Sequence, residues 1–380
     1  MKVLIAGGGT GGHVFPGIAV AEELRAMSPP VEVLFVGGGR GLEAQAVPEA
    51  GFRLRTLATA GFPRRRWWRW PWAALVNVGG LFQALWIVMS ERPRAVLGTG
   101  GYVSGPVSVA ARLLGVPLLL QEQNSIPGLT NRWLSRIANE VHLSFVEARS
   151  YFPRRDHLRI TGNPVRAHIL SGEREAALRE FQLQPGRPTL FVFGGSLGAR
   201  RINAAALDAL RRLKGRVDVQ CILQTGREDH DAVAKEVADE QLPATVLPFV
   251  RKMHLAYAAA DLVVCRAGAM TLAEIAVCGR PSILVPYPFA AHDHQRVNAA
   301  NLADRGAAVV IEDAQLTGER LAKEIAHVLA DRQLLSRMSA NARLFARPDA
   351  AARIARALVA WGEGRAQATP EEPAAEEGRS

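Results

Sequence analysis

Five of the six residues from Gly7 to Gly12 are glycine, and they join a short apolar strand (3–6) to a helical stretch that begins near His13. Glycine lets backbone N–H groups approach a ligand closely and reaches positive φ without a Cβ penalty. The helix that follows adds unpaired N–H groups and the positive end of a helix dipole, so such a turn suits a phosphate. A second turn of this kind is Phe193-Gly-Gly-Ser-Leu-Gly-Ala199. Two phosphate-type turns, each opening half of the chain, predict two nucleotide-fold domains around one cleft.

The rest of the pattern agrees. Strand-like apolar runs alternate with helical patterns, as in a parallel sheet covered by helices. In the first half the strands are expected near 3–6, 31–36, 53–57, 95–97, 117–120, 140–143 and 158–160. In the second half they are expected near 189–193, 217–223, 244–247, 262–265, 282–285 and 307–311. Helices are expected over 173–181 and from 318 to about 361. Thr161-Gly-Asn-Pro-Val-Arg166 interrupts the alternation and reads as a linker. The expected fold class is therefore α/β, two doubly wound Rossmann-like domains over 1–163 and 164–362, with the last helix free to return to the first domain. Residues 363–380 are too polar to pack and read as a disordered tail.

The chain has 380 residues, enough for two cores, and a formal net charge of +10, which favours acidic partners. No basic stretch interleaved with aromatics reads as a nucleic-acid surface, because the one candidate, Arg64-Arg-Arg-Trp-Trp-Arg-Trp-Pro-Trp72, runs into an apolar segment. Uncharged residues extend from Pro71 to Ser90, a length that could span a bilayer. Asn77, Gln83 and Gly79-Gly80 dilute it, and an α/β domain surrounds it. The expected arrangement is a helix packed on the sheet by one face, with the arginine-tryptophan entry, including Trp67, Trp68 and Trp70, on an anionic membrane surface. No signal peptide is evident, which implies a cytoplasmic protein. Cys221, Cys265 and Cys278 are too few and wrongly spaced for disulfides or zinc and read as buried thiols.

Several residues carry candidate chemistry. Gly7 to Gly12 also satisfies the dinucleotide pattern G-x-G-x-x-G, but the second strand ends in Val36-Gly-Gly-Gly-Arg40 where a ribose-binding carboxylate would stand. An arginine there leaves NADP open. His13 faces the mouth of the sheet or bonds to nearby backbone; facing the mouth, an imidazole is suited to take a proton from a sugar hydroxyl. The run from Asp261 to Ile275 reads as strand, turn and helix start, with backbone N–H groups around Ala269 to Thr271 facing an anion. Glu274 is placed to accept ribose hydroxyls, or else serves the helix dipole. His292, Asp293 and His294 suggest no metal, because the two rings diverge at a helix start.

Eight blocks in order resemble the MurG family of bacterial UDP-N-acetylglucosamine transferases, within glycosyltransferase family 28. They are Gly7-Gly-Gly-Thr-Gly-Gly-His-Val-Phe-Pro16, Gly100-Gly-Tyr-Val-Ser-Gly-Pro106, Glu122-Gln-Asn124, Pro127-Gly-Leu-Thr-Asn131, Thr161 to Arg166, Gly194 to Ala199, Cys265 to Glu274 and Asp293-His-Gln295. The resemblance implies a GT-B glycosyltransferase that makes lipid II from lipid I and UDP-N-acetylglucosamine, with no required metal or other cofactor. It implies that Glu274 holds the ribose, that the Val250 backbone meets uracil, and that Ser196 with Ala269, Met270, Thr271, Leu272 and Ala273 meets the diphosphate. Gln295 and Asn124 would face the sugar and Arg166 would reach the donor. Thr10, Gly11 and Gly12 would border the reacting site, with Tyr102, Glu122 and Asn131 on the acceptor side. His13 is then the base. Tyr102 and Glu122 remain alternatives close by. The implied setting is peripheral, on the cytoplasmic face of the bacterial inner membrane, with cell-wall synthesis and division proteins as further partners and no nucleic acid. Two positions depart from the family: Gln121 stands where histidine is frequent, and His294 where some members have glutamine.

Three rival readings remain. An NADP-dependent oxidoreductase leaves the second glycine turn and Glu274 unexplained. A different lipid-acceptor glycosyltransferase or a UDP-sugar 2-epimerase shares the architecture. A non-enzymatic basic membrane protein needs no pair of phosphate turns.

Overall fold

Apolar runs such as Val3–Ala6 of the first strand have no polar alternation, the mark of strands buried on both faces. In the computed structural model they form two parallel sheets. The structure describes residues 1–39, 41–61, 68, 70–195, 198–290 and 293–365, with Trp70 described by its backbone alone. The first sheet contains β1 (Lys2–Gly7), β2 (Glu32–Gly37), β3 (Arg53–Thr56), β4 (Ala95–Gly100), β5 (Leu118–Glu122), β6 (Glu140–Leu143) and β7 (Leu158–Ile160). Its strand order is β3-β2-β1-β4-β5-β6-β7. The second contains β8 (Thr189–Phe193), β9 (Gln220–Gln224), β10 (Ala244–Leu247), β11 (Leu262–Cys265), β12 (Ser282–Leu284) and β13 (Ala308–Val310). Its order is β10-β9-β8-β11-β12-β13. The two sheets share one topology, and the first adds β7 at its edge. The expected strand 217–223 begins later, at Gln220. Arg216 and Val217 still donate their N–H groups to Leu213 O at the end of the preceding helix.

The chain divides into two compact units, Met1–Arg166 with Asp349–Ser380, and Ala167–Pro348. In unit 1 one face of the sheet is covered by the helix Gly11–Ala26, which buries Val14, Ile18 and Leu24 against Val3, Ile5 and Leu97. The last helix, Ala350–Gly362, adds Ile354, Ala355 and Leu358 to the same core, and its Trp361 Nε1 donates to Glu140 Oε2 at 2.9 Å. On the other face Ala84, Ile87 and Val88 of the helix Trp70–Glu91 pack with Val107 and Ala111 of the helix Ser104–Leu113. Unit 2 closes around Ile202, Leu210, Leu223, Val264 and Ile325. The helices Gly318–Ala330 and Arg332–Leu344 start at side-chain caps: Thr317 accepts from Arg320 N, and Asp331 accepts from Gln333 N and Leu334 N. Cys221 and Cys265 are buried as expected, but Cys278 is only half-buried near the end of its helix. The proposed tail lies outside the described residues from position 366 onward.

His142, on the central part of β6, is fully buried, and desolvation lowers its pKa to about 4 against the opposing pull of Glu140. His157 shifts in the same direction, again through burial. The unfolded chain therefore binds more protons than the folded one between pH 4 and the ordinary histidine value near 6.5. Stability should fall as pH drops through that window. The His142→Leu variant should flatten the dependence, read as the urea midpoint at several pH values; an equal slope in both proteins would refute the assignment.

Candidate active site

In a doubly wound sheet, ligands bind beyond the carboxyl ends of the strands where the order reverses. In unit 1 that point lies between β1 and β4, and in unit 2 between β8 and β11. Each of these four strands runs into a glycine turn.

In unit 1, β1 leads through Gly7–Gly12 into the helix Gly11–Ala26. Thr10 is its extended N-cap and makes no side-chain cap bond, while its carbonyl accepts from His13 N at 3.1 Å and Val14 N at 3.2 Å. Gly9 has φ +89°, a conformation that strains any residue with a Cβ. Opposite it, β4 ends in Gly100 with φ +104°, and a Cβ there would stand 2.8 Å from His13 Nδ1. The His13 ring thus packs directly on the Gly100 backbone. Its Nδ1 lies 3.1 Å from Thr99 O and 3.2 Å from Gln123 Oε1.

Glu43 holds this turn in place, and sequence reasoning missed it. It is buried, and its carboxylate accepts from Gly9 N and Gly38 N, each at 2.8 Å. One side chain thereby joins the turns after β1 and β2. Its position, six residues beyond the strand end at Gly37, hid it from a search for a carboxylate at the strand end itself.

The acceptor-side candidates lie in the same unit. Glu122 is buried and accepts from Asn131 Nδ2 (2.8 Å), Asn124 N (3.1 Å) and Gly128 N (3.2 Å). Burial nevertheless pushes its carboxyl upward, the hydrogen bonds opposing. Asn131 is buried with it, whereas Tyr102 is exposed. Arg166 lies with its guanidinium 4.5 Å from the centre of the Phe15 ring.

In unit 2 a cavity of about 530 Å³ is lined by Gly194, Gly195, Arg266, Gly268, Thr271 and Gln295 among others. It joins the turn after β8 to the start of the helix Ala269–Cys278, whose N-cap is Gly268 and whose first turn has no acidic residue. Gln295 is fixed by Tyr287 N, which donates to its Oε1 at 3.0 Å. Arg266 reaches Asp313 Oδ1 at 2.6 Å. Glu274 does not line this cavity. It is buried, and its Oε2 accepts from Tyr257 Oη at 3.0 Å. Tyr257 is fully buried edge-on to Phe191 and Phe193, and desolvation raises its pKa so far that it remains a neutral donor. Val250 is also buried, and its N–H donates to Gln224 Oε1 at 2.9 Å, which leaves the carbonyl as its backbone group for a ligand. Leu272 points into the core. Ser196 and His292 lie outside the described residues, which contain no group of three His, Cys, Asp or Glu side chains able to hold a metal.

The helix Trp70–Glu91 carries a third feature. Pro71–Glu91 is long and apolar enough to cross a membrane by length and composition. Two of its amides tie it to the preceding chain: Asn77 exchanges two hydrogen bonds with the Ala60 backbone, and the exposed Gln83 accepts through Oε1 from Ala58 N at 3.0 Å. Trp72, Leu75, Val78, Phe82, Trp86 and Met89 face outward at helical spacing. Trp68 is exposed just before the helix, while Trp67 and the Trp70 side chain lie outside the described residues.

Two family models match the chain: the glycosyltransferase family 28 N-terminal domain over residues 3–143 and its C-terminal domain over 189–354. A protein of Moorella thermoacetica named UDP-N-acetylglucosamine–N-acetylmuramyl-(pentapeptide) pyrophosphoryl-undecaprenol N-acetylglucosamine transferase is 46% identical, across 94% of this chain and 98% of its own. A protein of the same name from Chlorobaculum parvum is also 46% identical, across 95% and 99%. The crystal structure of Acinetobacter baumannii MurG superposes with a TM-score of 0.74 at 33% identity, covering 94% of this chain and 99% of that one. A UDP-N-acetylglucosamine 2-epimerase superposes with a TM-score of 0.68 at 14% identity, a likeness of fold alone.

Glu43→Gln keeps the side-chain size but turns one oxygen into an NH2 group facing a backbone donor. The expected loss of unfolding free energy is ~1–3 kcal/mol, read from urea denaturation. A variant as stable as the parent would show that this carboxylate does not hold the two turns.

Proposed function

This chain belongs to glycosyltransferase family 28, and from that premise we propose that it transfers N-acetylglucosamine from UDP-N-acetylglucosamine to the 4-hydroxyl of the N-acetylmuramoyl sugar of lipid I, giving lipid II. The observation that carries the donor side is the unit 2 cavity, where the Gly194-Gly195 turn, the start of the helix Ala269–Cys278 and Gln295 come together. Two sets of backbone amides at one cavity suit a diphosphate. In this reading Ser196 and the backbone from Ala269 to Ala273 take the diphosphate. Glu274, oriented by Tyr257, takes the ribose, the Val250 carbonyl meets uracil, and Gln295 meets the sugar. Unit 1 supplies Thr10, Gly11, Gly12, Asn124 and Arg166 toward the reaction, and Tyr102, Glu122 and Asn131 toward the acceptor.

The chemistry is a single displacement. The acceptor oxygen forms a bond to the anomeric carbon, the bond from that carbon to the UDP oxygen breaks, and the configuration inverts. His13 takes the hydroxyl proton as general base. The charge that develops on UDP is met by the amides at the helix start and by Arg166, without a cofactor. The outward stripe from Trp72 to Met89 rests on the cytoplasmic membrane surface, where the polyprenyl tail of the acceptor remains in lipid.

Three measurements test this reading. His13→Ala should lower turnover by about 10²–10⁴-fold and leave UDP affinity nearly unchanged, whereas Glu274→Ala should chiefly weaken UDP binding in calorimetry. Equal donor affinity in the Glu274 variant, or normal turnover in the His13 variant, would reassign those roles. Replacing Trp72, Phe82 and Trp86 together by serine should reduce co-sedimentation with anionic vesicles about tenfold or more. Undiminished binding would move the membrane contact elsewhere.

A further inference from the structure

The β1–β4 ladder shifts register at its end: Ala6 pairs with Gly98, and Gly7 pairs with Gly100. Thr99 is the extra residue, and the pairing of β4 with β5 also stops at Gly98. A bulge of this kind leaves one residue's backbone groups out of the ladder. The Thr99 carbonyl is used instead by two side chains. It accepts from Gln123 Nε2 at 2.7 Å and lies 3.1 Å from His13 Nδ1. The Thr99 hydroxyl meanwhile donates to His13 O at 2.7 Å, which ties the start of the helix to the same residue.

A carbonyl oxygen only accepts, so both groups facing it must be donors. The Gln123 amide is therefore oriented with its NH2 toward Thr99 O. The same NH2 faces two further acceptors, Gln121 O at 3.4 Å and Gln121 Oε1. Gln121 is set in turn by donating from Nε2 to Asn163 Oδ1 at 3.1 Å, and Asn163 Nδ2 donates to Gln123 O at 3.1 Å. With its nitrogen committed, Gln123 presents Oε1 to His13 Nδ1 at 3.2 Å. Both atoms facing Nδ1 are then acceptors, so Nδ1 carries the proton of the neutral ring.

We propose that Gln123 is a positioning residue that, with the Thr99 carbonyl at the β4 bulge, holds His13 in the Nδ1–H tautomer and so puts the ring's lone pair on Nε2, the atom that receives the acceptor's proton. The consequence for catalysis rests on His13 being the base; the tautomer does not. Gln121, Gln123 and Asn163 are amides with no titratable proton, so none of the three changes its own donor or acceptor role with pH. The product imidazolium keeps its Nδ1–H bonds, because both acceptors serve the charged ring equally well.

The test uses the full-length chain labelled with 15N-histidine, with the His13→Ala spectrum subtracted to isolate this ring among the nine histidines. Above the imidazole titration, the two-bond 15N–1H pattern should show a protonated Nδ1 and an unprotonated Nε2. The opposite pattern, or an equal mixture, overturns the proposal whatever the activity. Gln123→Met keeps the length and removes both polar atoms. It should lower kcat about tenfold or more, part of the ~10²–10⁴-fold that a positioned base contributes, with the KM for UDP-N-acetylglucosamine unchanged and a mixed tautomer in the spectrum. Wild-type kcat in this variant while His13→Ala is inactive would refute the positioning role and spare the base. Normal turnover in His13→Ala would remove the base itself, with the tautomer still read from the spectrum.

Discussion

Neighbouring parallel strands whose connections leave in opposite directions create the constraint on which this molecule depends. Helices covering opposite faces of a sheet must part at that boundary, and the gap opens beyond the strands' carboxyl ends. The boundary falls at β1–β4 in one unit and β8–β11 in the other, with a glycine turn after each strand. Any side chain at Gly100 would collide with His13, and one at Gly198 would collide with the Thr225 backbone. Small residues are therefore concentrated where backbone must approach ligand or backbone must approach ring. Elsewhere in these turns the rigid work is done by a few buried polar groups such as Glu43 and Glu122.

Much of this was legible in the sequence, because its signals are local. Strands such as β1, β5 and β8 are nearly continuous apolar runs, and the glycine turns announce positive φ. The family resemblance rested on blocks that lie at or beside those turns. What escaped are partnerships across long separations. Glu43 meets Gly9 from 34 positions away, and Gln224 meets the Val250 amide from 26. Tyr257 reads as one more core aromatic until its hydroxyl is found on Glu274. A glutamine or glutamate inside an apolar run carries no sign of which distant amide it will serve. The strand expected at 217 began at Gln220 for a related reason, since two N–H groups before it remain bound to the end of a helix.

The helix Trp70–Glu91 inverts the usual arrangement of a surface helix. Asn77 and Gln83 hydrogen-bond to the chain at Ala60 and Ala58, while six large apolar side chains face out. Gly80 lets the helix approach so closely that a Cβ there would meet Ala58 O. Those amide hydrogen bonds fix the helix to the chain before it, and the exposed apolar stripe is a cost in water that an apolar partner would relieve. The dilution of the apolar segment by polar residues, which argued against a spanning helix, is thus what docks it.

The last helix has a consequence for how the chain is made. Ile354, Ala355 and Leu358 complete a core otherwise built from the first 120 or so residues, and all of unit 2 is encoded between them. During synthesis the first unit must wait, with the apolar flank of the helix Gly11–Ala26 uncovered, until nearly the whole polypeptide has left the ribosome. Domains that emerge whole fold as they appear. Unit 2 is contiguous and finishes before its predecessor, so the order of completion is the reverse of the order of translation.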